Sequence, residues 1–533
     1  MSVSVQTLYT LFRTTARRYP ERPALWSDGI FTPYGQLEAA RARMHEAIRT
    51  YSEGKRCSIA LISPKSTLAY AAILGILSSG NVYVPIAPGI PATRLEDVLE
   101  LASVKIILVD ISLLSQVKDS LGRKAGDYTI VAIQDAAEST GPECRDSPAS
   151  LRRPRITTAT EIEVDEVLLS STAYIMFTSG STGTPKGVPV THRSVITMLN
   201  DLAPILRIES TDRFTHYADL CFDFSIGEIF LCWKAGACLF VPSKLDRIDP
   251  LAFVSRHELT VWCSVPSLAM HVQKSRTSNS TLSSLRVSIF CGEALSRDLA
   301  EYWQRLSPEA VVYNLYGPTE AAVFSTYFRF LPGESDMPDP IPIGSPLPNV
   351  LIRLEAEDCS SEASELLLAG PQVFDGYLIK QKSSVEKRLE SSESMYWYQT
   401  GDQVRNDNKY GLLFLGRRDR QIKLRGYRVE LQDIESSLRQ VAGGWAAVVA
   451  VKDERHVPIY LTGIVSSSSP GNDELFRYCR DVLPEYMVPK YFLRVDELPL
   501  NSNGKTDYNK LTEMVKVSQQ LLTGNYKRVN NEQ

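Results

Sequence analysis

Six histidines in 533 residues, with no HExxH pattern and no cluster, leave little material for a zinc site. The nine cysteines contain no CxxC pair, so zinc-ribbon and dithiol-redox spacings are both missing. Several of them, Cys221, Cys232, Cys238, Cys263 and Cys291, lie in apolar runs. An odd number without metal spacing reads as reduced thiols in a cytoplasmic interior. No segment approaches the ~18 consecutive apolar residues of a membrane span. The N-terminus, MSVSVQTLYTLFRTTARRYPERP, is amphipathic with its arginines late, unlike a secretory signal. A formal net charge of −4 offers no basic field to nucleic acid. There is no internal repeat. What remains, at 44% hydrophobic and 23% charged residues, is an ordinary globular composition in a chain too long for one core.

Helical and strand patterns alternate through the first third. Leu8 to Arg18 and Ser66 to Ser79 read as helices, and Ser58 to Ile62 and Lys105 to Val109 as buried strands, which favours a mainly parallel α/β sheet. Residues 136–170 read as a long surface connection. Further α/β alternation fills 190–330, and short strands with Gly and Pro turns from about 340 to 415 suggest a β-rich subdomain. The charged turn Gly416 to Gln421 marks a boundary before a smaller unit of helix and strand character. Within that unit Ser466 to Asn472 reads as a loop, and the residues after about 512 as a polar tail.

One stretch carries the most chemistry. The apolar run Tyr174 to Phe177 ends in Thr178, Ser179, Gly180, Ser181, Thr182, Gly183, Thr184, Pro185, Lys186 and Gly187. A strand feeding such a loop offers hydroxyls, one ammonium and successive N–H groups to a polyanion, and glycines allow close backbone approach. It is not a Walker loop, because Pro185 stands where that motif needs glycine before lysine. Asn314 to Glu320, NLYGPTE, joins an aromatic face (Tyr316), a Gly317-Pro turn, a hydroxyl (Thr319) and a carboxylate (Glu320) suited to Mg²⁺. Tyr398 to Asp402, YQTGD, sets a carboxylate after a glycine turn. Phe222 to Ser225, FDFS, sets Asp223 amid apolar residues, where a carboxylate either caps a helix or awaits a cation. Lys505 sits at the tip of an Asn/Gly turn.

TSGSTGTPKG, NLYGPTE, YQTGD, GRRDRQIKLRGYRVE and NSNGK occur in the order and spacing of the adenylate-forming superfamily. That superfamily contains acyl-CoA synthetases, luciferases and the adenylation domains of nonribosomal peptide synthetases, and the resemblance runs from the first helix to Lys505. It implies an α/β fold: a large N-terminal domain over 1–418, of stacked mixed and parallel sheets with a β-rich subdomain, and a small mobile α+β domain over 419–533. Asp419 matches the hinge. By position, the loop from Thr178 to Lys186 holds the β- and γ-phosphates of ATP. Tyr316 stacks on adenine, with Asn314 and the backbone of Gly292, Glu293 and Ala294 along its edge. Thr319 touches the α-phosphate, Glu320 holds Mg²⁺, Asp402 binds the ribose with Arg417 nearby, and Lys505 bridges the substrate carboxylate and α-phosphate.

Asp223 separates the branches. Where α-amino acids are activated, an Asp at the FDxS position binds the substrate ammonium, whereas acyl-CoA synthetases have no amine to pair. The other pocket positions carried over are Phe224, Gly227, Cys263, Ile289, Cys291, Leu315, Val323 and Phe324, all apolar or small. A compact apolar side chain is expected: proline first, with valine, isoleucine, leucine, phenylalanine and alanine as candidates. The set resembles free-standing prolyl-activating enzymes, although Gly227 and the two cysteines depart from common patterns. No condensation-type HHxxxDG and no carrier-type GGxS is present, since Gly443-Gly444 precedes Trp-Ala-Ala. The resemblance therefore implies a stand-alone cytoplasmic enzyme that meets a phosphopantetheinylated carrier protein in trans, with Arg420, Lys423, Arg425 and Arg428 as docking candidates. The alternatives are an acyl- or aryl-CoA synthetase, and an adenylate-sensing protein without turnover. His216 lines a channel or is structural, the latter being favoured.

Overall fold

The computed structural model describes residues 7–134, 167–178, 185–275, 281–356, 363–379, 389–392, 395–453, 457–500 and 506–529. The surface connection expected at 136–170 falls mainly outside them, as do Ser179 to Thr184 and Lys505. The chain divides into two compact units, with the break between Arg418 and Asp419. The segment Gly89–Arg94 and the loop ends Thr178 and Pro185 group with the smaller unit.

The larger unit contains a nine-stranded sheet. Its spatial order is Ser345–Pro346, Thr326–Arg329, Val311–Tyr316, Val287–Phe290, Val261–Ser264, Arg213–Thr215, Cys238–Phe240, Pro23–Ser27 and Ile30–Pro33. The six strands from Val311–Tyr316 to Pro23–Ser27 are parallel, and antiparallel strands flank them on both sides. A six-stranded sheet follows the order Thr129–Ile133, Val104–Asp110, Ser58–Ile62, Val82–Pro85, Thr172–Thr178, Lys186–Thr191, with parallel pairing across the first five. Such strands are buried on both faces, so they read as unbroken apolar runs rather than as alternation. The β-rich part is a separate antiparallel sheet built on Leu351–Ala356, Ser364–Ala369, Leu389–Ser392, Met395–Asp407 and Gly411–Arg417.

The helices follow from local chemistry. Thr7 caps Leu8–Arg18 reciprocally with Thr10, and Arg17 and Arg18 lie in the last turn, where the helix dipole favours cations. Thr67–Ser78 is apolar all round and buried from Ala69 to Ser78, as a helix packed on every side must be. It lies so close to the helix Tyr34–Tyr51 that a Cβ on Gly75 would stand 2.7 Å from Met44 Cβ. Tyr70 also meets Trp233 of the helix Phe224–Ala235 at 6.1 Å between centroids. One continuous core thus joins residues of both large sheets.

The smaller unit holds a hairpin, Gln421–Leu424 with Tyr427–Glu430, and a three-stranded sheet of Ala446–Lys452, Pro458–Ser466 and Tyr491–Val495. Helices Leu431–Ala442 and Asn472–Val482 belong to it, so the loop expected near 466–472 falls between strand and helix. The expected polar tail is instead helical over Tyr508–Val529, with Leu511 and Val515 buried against Ala447, Val449 and Ile464. Leu511 and Val515, with Tyr508 and Met514 partly buried beside them, seat it, and the polar residues interleaved with them hid that face.

Candidate active site

Three groups of side chains assemble on the larger unit. The first lies at the end of the strand Val311–Tyr316. The Tyr316 hydroxyl donates to Asp402 Oδ2 at 2.6 Å, and Arg417 Nη1 donates to Asp402 Oδ1 at 2.6 Å. Asp402 and Arg417 are register partners on antiparallel strands, which places opposite charges face to face. Burial, then the neighbouring Asp402 charge, holds the Tyr316 phenol well above its ordinary value, so it remains the donor. Each carboxylate oxygen keeps a second lone pair, suited to adjacent hydroxyls of a ribose. Asn314, two residues earlier, commits its amide nitrogen to the carbonyls of Ile341 and Pro342. Gly292, at φ 93, follows the neighbouring strand, and Glu293 accepts from the Ser267 backbone N–H at 2.8 Å.

The second group centres on Glu320, fully buried in the short 3₁₀ turn Thr319–Ala321. Its Oε1 accepts from the Tyr377 hydroxyl at 2.5 Å, and the Lys186 ammonium stands 5.4 Å from the centroid of the same tyrosine ring. Backbone pairing of Gly187 with Leu378 holds these segments together. The end of the glycine-rich loop and the NLYGPTE carboxylate are therefore brought together across Tyr377, a residue sequence reasoning missed. Its only sequence signal was a tyrosine in the Gly- and Pro-rich turn after the strand Ser364–Ala369. Among the described residues no three His, Cys, Asp or Glu side chains gather to form a metal cage. A single carboxylate, Glu320, fits Mg²⁺, which takes one or two protein carboxylates and leaves its other positions to water and phosphate.

The third group surrounds Asp223. It occupies the N-cap position of Phe224–Ala235 in αR conformation and makes no capping hydrogen bond, so the capping role considered from sequence is absent. It is buried, and its charge contributes, after burial, to raising the Tyr174 phenol. One turn on, a Cβ on Gly227 would stand 2.6 Å from Phe324 Cε2. Phe224 meets Phe324 edge-on at 5.6 Å. Ala322 and Val323 are both left-handed, at φ 55 and 75, a strained conformation for a β-branched residue that costs about 1–3 kcal/mol. This kink carries the chain from Glu320 to Phe324. Cys263 and Ile289 are register partners on adjacent parallel strands, and Cys291 and Leu315 lie two residues further along. Burial pushes the Cys263 thiol up, so it fills volume as a neutral group.

The other expected residues fall as follows. Thr178 ends its strand, and Asp419 Oδ1 accepts from the Gln421 N–H at 3.3 Å. Arg420 is engaged by Glu435, by the Val448 carbonyl and by the Tyr508 ring, whereas Arg425 is exposed. His216 is structural: its Nδ1 lies 2.5 Å from Glu228 Oε2, both fully buried. Burial raises the Glu228 carboxyl to about 8 and drives the imidazole well below its ordinary value. At neutral pH the carboxyl O–H therefore donates to an uncharged ring. Beside them, burial lowers the Lys65 ammonium to about 7.

These two shifts have opposite consequences for stability. The Glu228 carboxyl keeps its proton to about 8 when folded but loses it near 4.5 when unfolded, so its contribution falls as pH rises between those values. Lys65 releases its proton near 7 when folded and 10.5 when unfolded, so its contribution rises over that range. The melting temperature of the unaltered protein relative to Lys65→Met is expected to increase from pH 7.5 to 9.5. A difference independent of pH would show that the ammonium is not depressed.

Tyr316, Asp402, Arg417, Glu320 and Lys186, paired as described on this fold, are the groups expected of an AMP-binding enzyme. The AMP-binding enzyme family matches residues 12–378 and its C-terminal domain family residues 434–505, and the chain belongs to this family. It is 29% identical over 527 residues to tyrocidine synthase 1 of Brevibacillus parabrevis, covering 95% of this chain and 45% of that protein. It is 30% identical over 531 residues to an L-proline--[L-prolyl-carrier protein] ligase of Streptomyces coelicolor, covering 96% of this chain and 97% of that one. The chain thus spans less than half of the synthase and nearly all of the ligase. Among solved structures it resembles the Vibrio cholerae adenylation domain AlmE in complex with glycyl-adenosine-5'-phosphate, at a TM-score of 0.82 and 26% identity, covering 97% of this chain and 99% of that one. No helix among the described residues is long and apolar enough to cross a membrane.

Proposed function

We propose that the protein joins an amino acid to AMP and passes the aminoacyl group to the phosphopantetheine thiol of a separate carrier protein in the cytoplasm, with L-proline as the favoured amino acid. The observation that carries this reading is Asp223, a buried carboxylate at the head of Phe224–Ala235 beside the apolar wall of Phe224, Gly227, Val323 and Phe324. A carboxylate among apolar side chains attracts a cation strongly because little water screens it, and an α-ammonium is a cation that arrives with an apolar side chain. The match to an L-proline--[L-prolyl-carrier protein] ligase supports a carrier protein as the acceptor.

In the first half-reaction a substrate carboxylate oxygen bonds to the α-phosphorus of ATP while the bond to the pyrophosphate oxygen breaks. Charge gathers on the α-phosphate oxygens, so catalysis is positioning plus electrostatic stabilisation. Asp402 accepts from the ribose hydroxyls, and Tyr316 offers its ring to adenine. Lys186 and the hydroxyls and N–H groups of Ser179, Gly180, Ser181, Thr182 and Gly183 take the departing phosphates, Thr319 donates to the α-phosphate, and Lys505 bridges carboxylate and α-phosphate. Glu320 would hold Mg²⁺, which supplies positive charge to the phosphate oxygens when bound. In the second half-reaction the thiol sulfur bonds to the carbonyl carbon, AMP leaves with the electrons of the acyl–oxygen bond, and the thiol proton is released. Movement about Asp419 withdraws Lys505 between the two steps.

An amino-acid panel in pyrophosphate exchange tests the substrate. Proline is expected to stimulate exchange most, and greater stimulation by valine or phenylalanine would refute it. A second reading, glycine or alanine, is favoured by Phe324 lying against Gly227, and the same panel reads it. Gly317→Ala is expected to lower exchange about 10²-fold, a loss of the size that a 1 Å misplacement produces. The new methyl would press on the Val323 carbonyl and displace the turn between Tyr316 and Glu320. Unchanged exchange would mean that the turn tolerates displacement.

A further inference from the structure

Three consecutive backbone carbonyls converge on one side chain. Lys65 Nζ donates to the carbonyls of His216, Tyr217 and Ala218 at 2.9, 3.1 and 2.6 Å. In its charged form the side chain carries three protons, and each has an acceptor here. Lys65 belongs to the turn between the strand Ser58–Ile62 of the six-stranded sheet and Thr67–Ser78, whose cap is Ser66. The carbonyls belong to the segment leaving Arg213–Thr215 in the nine-stranded sheet. The lysine is therefore a strut between the two sheets.

The strutted segment, residues 216–222, has no helix or strand of its own, and it delivers Asp223 to the start of Phe224–Ala235. Irregular buried backbone keeps its place only if its polar groups find partners. Further holds act on this segment. Arg247 Nη2 donates to the Tyr217 carbonyl at 3.1 Å and stands 3.5 Å from Asp219. The His216 ring is tied to Glu228, which lies one turn beyond Asp223 on the helix. The chain then folds on itself, with the Phe222 N–H donating to the Asp219 carbonyl at 2.9 Å and Ser225 Oγ to the Leu220 carbonyl at 3.4 Å. Lys65 is half-buried, and an apolar side chain would fill its space without a desolvation cost. What an apolar residue cannot do is fix three carbonyls at once.

We infer that Lys65 is a positioning residue for the amino-acid subsite: by gathering the carbonyls of residues 216–218, with Arg247 as a second hold, it sets where the Asp223 carboxylate stands. The inference rests on the reading that Asp223 takes the substrate ammonium. The nucleotide groups Tyr316, Asp402, Arg417 and Glu320 lie on other elements, so loss of the strut acts on one substrate and spares the other.

The test is pyrophosphate exchange with separate KM values for ATP and for the amino acid giving the highest rate in the panel. Lys65→Met is expected to raise the amino-acid KM about tenfold or more, part of the loss that a 1 Å misplacement produces, with the ATP KM unchanged. Lys65→Arg, which keeps a cation with several donors, should recover part of the loss. If Lys65→Met does not accumulate as folded protein, Arg247→Met carries the test, because that side chain is 38% exposed and its removal leaves a smaller hole in the core. It should shift the amino-acid KM in the same direction by a smaller factor. A parallel rise in both KM values, or an unchanged amino-acid KM, would overturn the inference and leave Lys65 a scaffold residue. Asp223→Ala separates the two levels. If it raises the amino-acid KM while the Lys65 and Arg247 variants do not, only this inference fails; if it has no effect, the reading beneath it fails as well.

Discussion

Replacing Asp223 by alanine is expected to raise the amino-acid KM by about 30- to 4,000-fold, the equivalent of about 2–5 kcal/mol for truncating one partner of a buried charge pair. The size follows from burial: Asp223 is 6% exposed, so water cannot take over the ammonium that the carboxylate would have held. The ATP KM should stay where it was, since Tyr316, Asp402 and Arg417, proposed for the other substrate, lie on other elements than Asp223. The same change should improve the relative use of the matching acid without its amine, because that acid no longer meets a buried negative charge. An acyl-CoA synthetase would show neither effect. Asp223→Ala with an unchanged amino-acid KM would remove the basis for assigning an amino-acid substrate.

Lys505→Ala has the other large expectation: a fall in amino-acid-dependent pyrophosphate exchange of about 10²–10³-fold, the cost of losing one donor to developing transition-state charge. Thioester formation from preformed adenylate should fall much less, because that step has no pyrophosphate to expel and proceeds with the lysine withdrawn. The two half-reactions must be measured separately, the second with chemically prepared aminoacyl-AMP and phosphopantetheinylated carrier. Equal losses in both would contradict the assignment. The pair of variants is informative together, since Asp223→Ala acts on amino-acid affinity whereas Lys505→Ala acts on the chemical step.

Local pattern made much of the architecture legible. Leu8–Arg18 carries its apolar stripe and its terminal arginines in eleven consecutive residues directly after its cap, Thr7, and the structure returns the same helix. Ile59 to Ile62 is apolar without interruption because both faces of the strand are covered. The helix over 508–529 was not legible, since its buried face shows as Leu511 and Val515 within a polar stretch. In the site, the motif residues were readable one by one, but their mutual contacts were not. That Tyr316 bonds to Asp402 depends on an 86-residue separation closed by the sheets. Tyr377 carries only its place in a Gly- and Pro-rich turn, and Lys65 carries no local signal. One acts through Glu320, 57 residues away, and the other through carbonyls more than 150 residues away, and backbone carbonyls leave no mark in sequence. Glycine at 227 was readable as small, while its reason, the Phe324 ring lying against it, needed the fold.

The most direct measurement is exchange of labelled pyrophosphate into ATP by the unaltered protein, comparing the best amino acid of the panel with the same carboxylic acid lacking its amine. The account predicts exchange with the amino acid at least about 30-fold faster at equal subsaturating concentration, the lower end of the charge-pair range. Equal rates for the two acids, or no exchange with any amino acid, would contradict it.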